Sequence, residues 1–184
     1  MQSALRFIAV LNAALWLGGT VFFTFCAAPA IFSPAMSAML PDAYRARVAE
    51  LVIARLFGLQ QICGGVALAL WLVDYIRAGR LTRRLTLGVV GSLFALSLIG
   101  GYWLQPKMHQ LEVIRYSKIA TAEQRAQATS SFRAWHGFSQ VLNVFALAGL
   151  VFYFWQMSRP PESPRVNPFF RPHSPADGSV PRML

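Results

Sequence analysis

Arg133-Ala-Trp-His-Gly-Phe-Ser-Gln-Val-Leu-Asn143 opens an apolar run that continues to Trp155, and its reading decides the fold. His136, Ser139 and Asn143 stand three and then four residues apart. On an α-helix that spacing puts all three on one stripe. From Val144 to Met157 the run carries no charge, and it is long enough to cross a bilayer. A polar stripe at the head of a membrane-length helix is expected to face other helices rather than lipid. The three other apolar runs then become the walls around it.

Composition agrees with lipid as the solvent. Of the 184 residues, 55% are hydrophobic and only 13% charged, and the charges cluster between apolar blocks. A water-soluble domain of this size is less apolar and less blocky. The formal net charge is +10, but no basic face with interleaved aromatics offers itself to nucleic acid. The basic residues instead flank the apolar runs, where they favour anionic headgroups. Cys26 and Cys63 both lie inside apolar runs, with no Cys-x-x-Cys pair and no disulfide framework.

Working outward, the first charge-free run, Phe7 to Phe32, exceeds the 7–15 apolar residues usual in a signal peptide and reads as an uncleaved span. Pro29 and Pro34 bend or end it. Pro41-Asp42 starts a short amphipathic segment, expected at headgroup level, that leads into the second span with Gln60, Gln61 and Cys63 near its start. Arg77, Arg80, Arg83 and Arg84 crowd the next connection without an acid, which reads as cytoplasmic. The third span closes with Tyr102, Trp103 and Pro106. Lys107 to Phe132 is polar yet helical in pattern, and Thr121 with Gln124 is a capping-box signature for a new helix. Ala14 with Gly18, Gly88 with Ser92, and Gly91 with Ala95 have the spacing that lets helices approach closely.

The expectation is an all-α integral membrane bundle of four transmembrane helices, with spans at about 7–32, 56–76, 85–105 and 133–157. Helices three and four extend beyond the bilayer. Residues 159–184, rich in proline and basic side chains, form a disordered cytoplasmic tail in which His173 is inert. Both termini fall on the cytoplasmic side.

With that topology Cys26, Cys63, His109 and His136 all fall near the outer face. Thiols and imidazoles suit copper or zinc, and paired histidines can hold haem iron. The plainer reading makes the cysteines small hydrophobes and the histidines hydrogen-bonders, and neither His-x-x-x-His nor Cys-x-x-x-Met occurs. The stripe also has two readings. As interhelical glue, Ser139 and Asn143 would bond to Gln60, Gln61 or Asn12, at about 0.6–2 kcal/mol each. As a ligand pocket, His136, Ser139, Asn143 and Gln60 would bind a small molecule, with His136 able to change charge near neutral pH. Catalytic signatures are absent: no phosphate loop, no nucleophile elbow and no carboxylate pair in a span.

His136-Gly-Phe-Ser139-Gln-Val-Leu-Asn143 resembles the His-Gly-x-Ser-x-x-x-Asn signature of the transmembrane protein 205-like family, whose bacterial members are described as a domain of unknown function. Ala28-Pro29-Ala30-Ile31-Phe32 and Tyr102-Trp103-Leu104-Gln105-Pro106 agree with it, and together these stretches cover roughly residues 5–157. The resemblance implies a four-helix protein of the bacterial inner membrane with His136, Ser139 and Asn143 as signature positions. Eukaryotic members carry an acid where this chain has Gln105. Bacterial members are distantly similar to copper-resistance D-type membrane proteins, which implies metal or small-molecule handling. Three functions follow as expectations: a non-enzymatic ligand or metal binder in transport or stress resistance, an assembly subunit that meets a homo-oligomeric or membrane-complex partner, or a haem-dependent redox component.

Overall fold

The computed structural model describes residues 2–78 and 84–159. The centre of the arginine connection, 79–83, and the proline-rich stretch 160–184 with His173 lie outside the described residues. The described residues form helices and turns only.

Four helical rods are long and apolar enough to cross a membrane. The first comprises α1 (Gln2–Phe22), a π turn (Phe23–Ala27) and α2 (Ala28–Ile31). After a short α3 (Pro34–Met39), α4 (Asp42–Ala78) is the second rod. The third comprises α5 (Arg84–Ile99), a second π turn (Gly100–Leu104) and α6 (Gln105–Tyr116), and the fourth is α7 (Ala122–Ser158). α1 packs on α4, α4 on α5, α5 on α7 and α7 on α1, closing a square. Arg6 Nη2 donates to the Arg159 carbonyl at 2.9 Å, so the start of α1 and the end of α7 share one end of the bundle. The chain has the build of a multi-pass membrane protein.

Each π turn ends two residues before a proline. Pro29 and Pro106 both occupy the second position of the following helix. A proline within a helix lacks the N–H donor and clashes with the carbonyl four residues back. Those carbonyls belong to Phe25 and Tyr102, both inside the wide turns. Widening the turn relieves the clash, so each rod continues instead of breaking.

The second rod differs from expectation. The amphipathic stretch after Pro41 does not lie apart at headgroup level but is the first part of α4, one unbroken helix of 37 residues. At 1.5 Å per residue this is about 55 Å, against about 30 Å of hydrocarbon. Helix two therefore extends beyond the bilayer as well as helices three and four. The local reason is plain: no glycine or proline interrupts Asp42 to Phe57, and Asp42–Arg45 and Arg47–Glu50 pair one turn apart. The start of α7 is fixed by a full capping box, with Thr121 Oγ1 accepting from Gln124 N and Gln124 Oε1 accepting from Thr121 N.

The core is a cluster of Trp16, Tyr153, Leu150, Leu93, Cys63 and Ala67, with Trp16 and Tyr153 edge to face at 6.1 Å. Close approach is made by glycines other than the expected small-residue pairs. A Cβ on Gly19 would meet Leu59 at 2.7 Å, and one on Gly64 would meet Phe94 at 2.5 Å. Gly100 accepts the Phe57 ring in the same way. Gly18, Gly88 and Gly91 instead have open space above them, and Ala14, Ser92 and Ala95 are exposed. Large apolar side chains such as Phe7, Phe25, Ile62, Val144 and Phe145 are also exposed around the bundle, as lipid contact requires. Trp103 and Trp135 meet edge to face at 5.3 Å near the end away from the termini.

Candidate functional site: a polar seam between three rods

The seam is built on two threonines one turn apart on the first rod, Thr20 in α1 and Thr24 in the π turn. Thr20 is fully buried, and its Oγ1 donates to the Trp16 carbonyl at 2.9 Å. Thr24 Oγ1 donates to the Thr20 carbonyl at 2.8 Å. Bonding back to the helix's own carbonyl fixes each hydroxyl and leaves its lone pairs pointing outward as acceptors. α7 uses one of them, with Asn143 Nδ2 donating to Thr24 Oγ1 at 3.0 Å. α4 uses the other through Gln60 Nε2, at 3.4 Å from Thr20 Oγ1. Deeper toward the termini, Asn12 Nδ2 donates to the Cys63 carbonyl at 2.9 Å, and the Asn12 side chain also meets the Tyr153 hydroxyl. A side bond, Gln61 Nε2 to the Ser97 carbonyl at 3.4 Å, ties α4 to α5.

The structure thus divides the expected stripe. Asn143 and Gln60 join the seam through adjacent threonines. His136 does not turn inward: it is exposed, stacked on Phe132 with ring centroids 5.9 Å apart, and its Nε2 lies 3.2 Å from Gln140 Nε2. Ser139 Oγ donates to its own helix at the His136 carbonyl, at 2.7 Å. Seven residues on a helix amount to about 20° short of two full turns, and α7 packs on α1 from Asn143 toward Tyr153 and Arg159, with His136 one step beyond that contact. The stripe therefore leaves the interface as it rises.

The four candidate metal ligands are not gathered. Among the described residues no group of three or more His, Cys, Asp or Glu side chains could hold a metal ion. Cys26 is exposed and Cys63 is buried in the core. His109 sits on α6, its Nδ1 3.2 Å from Glu50 Oε2.

That contact belongs to a second polar layer outside the bundle, which the sequence did not reveal. Glu50 Oε2 also accepts from Arg47 Nη1 at 2.5 Å, while Gln105 Nε2 donates to the Glu50 carbonyl at 3.4 Å. Nearby Glu112 on α6 is half-buried, and burial first, then the Glu50 carboxylate, pushes its carboxyl above the ordinary range. Arg115 lies over the Phe132 ring and closes α6 against α7.

Most of this geometry lies within one family domain. The sequence model of a family described as a domain of unknown function (DUF4149) matches residues 11–117, more than half of the chain. The chain belongs to the DUF4149 family. The match takes in Asn12, Thr20, Thr24, Gln60, Glu50 and His109 together with both proline-linked π turns, and it ends before His136, Ser139 and Asn143. No curated protein matches the chain, nor does any solved structure. The threonines were the functional-scale residues missed from sequence, although two hydroxyls at i and i+4 in an apolar span were a readable signal.

Proposed function

We propose that this member of the family is a non-catalytic membrane scaffold, its seam setting the helix register and its extramembrane layer meeting a protein partner. One observation carries the reading: the amides and hydroxyls at membrane depth are turned on one another, Asn143 to Thr24, Gln60 to Thr20 and Asn12 to Cys63. A seam bonded in this way holds helices and offers little to a ligand. The outer layer of the first turns of α4, α6 and the first turns of α7 carries the charges a partner would read. Placement of both termini on one side is supported by the Arg6–Arg159 contact, and of that side in the cytoplasm by the arginine-rich connection in the sequence; a bacterial inner membrane is what the family resemblance suggests.

The test is purification in mild detergent from the native host. A stoichiometric protein that is lost when Lys118 and Arg125 are changed to Glu, with the unfolding temperature kept, supports the scaffold. Stoichiometric copper or a Soret band that disappears in His136→Ala would overturn it. That result would favour the second reading, metal or small-ligand handling in stress resistance, which the likeness to the transmembrane protein 205-like and copper-resistance D-type proteins suggests. The exposure of His136 at the mouth of the bundle supports that alternative.

A further inference from the structure

An open groove of about 640 Å³ runs between α5 and α7, away from the seam and the outer layer. Its walls are Gly88, Ser92 and Leu96 on α5 and Phe145 and Gly149 on α7, and Arg84 stands at its head. We propose that this groove is a binding site for one anionic phospholipid, with the headgroup phosphate on the Arg84 guanidinium and an acyl chain lying along the small-residue floor.

Three features select that occupant. The first is length. From Arg84 to Leu96 the groove descends about 18 Å, close to the depth of one leaflet's hydrocarbon, half of about 30 Å. The second is charge. Arg84 is exposed in the first turn of α5, where the third membrane-length rod begins, and a guanidinium matches a phosphate by paired N–H donors. The third is the floor. Gly88 has nothing within 4 Å of where its Cβ would be, so the trough exists because a side chain is missing. A second copy of the chain fits less well. Its own Arg77, Arg80, Arg83 and Arg84 follow one another in sequence without an acid, and pairing two such connections would set like charges together. A phosphate-bearing lipid relieves that repulsion.

The experiment is native mass spectrometry of the full chain in mild detergent, titrated with phosphatidylglycerol or with phosphatidylcholine of the same acyl chains. The parent protein should retain one phosphatidylglycerol in preference to phosphatidylcholine. Arg84→Gln should weaken that retention about fivefold, the weight of one cation at an anionic surface. Gly88→Leu fills the trough without striking the fold and should abolish retention of the single lipid. Gly18→Leu, at an equally open glycine on α1, should leave it unchanged. Equal retention of the two lipids overturns the proposal, as does an unaffected Gly88→Leu. Displacement of the lipid by inorganic phosphate shows a simple anion site and also overturns it. A chain dimer that is lost in Gly88→Leu shows that a second copy occupies the groove instead.

Discussion

At membrane depth the rods are joined by uncharged groups: an amide on a hydroxyl, an amide on a carbonyl, a ring on a glycine. Beyond the membrane the same rods meet through charged and polar side chains, with Glu50 between Arg47 and His109 and Arg115 lying over Phe132. The difference follows the solvent. A charge in hydrocarbon costs several kcal/mol, whereas an amide that meets a hydroxyl costs little and gains about 0.6–2 kcal/mol. In water an exposed ion pair contributes only about 0–1 kcal/mol, so the outer layer is held mainly by the rigid rods that carry it.

Breaking the apolar core should do most damage. Trp16, 2% exposed, anchors the cluster through Tyr153, and Trp16→Ala should cost about 3–5 kcal/mol, read as a large fall in unfolding temperature in detergent. Gly64→Leu should follow at about 1–3 kcal/mol, because its side chain would overlap the Phe94 ring on α5. Asn143→Leu should cost about 0.6–2 kcal/mol, and Thr24→Val should add little to it in the double variant, since the two groups share one bond. Full additivity in that cycle would show that the bond carries no weight.

The smallest effect sharpens the outer half of the comparison. Glu112 faces Glu50, His109, Arg47 and Arg115, and its carboxyl is raised in the folded chain from an ordinary value of 4.5. The folded state therefore holds the proton more tightly than the unfolded state. The associated stabilisation is complete below the ordinary carboxylate pKa and is lost as pH rises through the folded value. Glu112→Gln should unfold like the parent at pH 4 and slightly later than the parent at pH 7. An equal difference at both values would show that the carboxyl does not titrate with folding.

The spans were legible because charge-free runs of membrane length have few other uses, and the Thr121–Gln124 cap was legible because its two bonds are local. The partners across the bundle were harder to read. The stripe on α7 named Asn143, but Thr24 lies 119 residues away, and nothing near either residue announces the pairing. Facing was harder still. In a soluble helix the apolar side points inward, but here both sides are apolar, so Gly18 and Gly88 looked like interface residues and stand outside, while Gly19 and Gly64 do the packing. The same ambiguity misplaced His136: its spacing from Asn143 fixed a stripe, but not where that stripe parts from α1.

The two wide turns before Pro29 and Pro106 carry a consequence for the whole outer layer. Each holds one residue more than regular winding needs, and one residue is about 100° of rotation. Everything past Leu104 is therefore turned by over a quarter-circle from where a straight rod would put it. That added rotation brings His109 round to Glu50. Two single-residue insertions, each locked by an imino acid, act as the index marks by which the outer layer is aligned on the bundle.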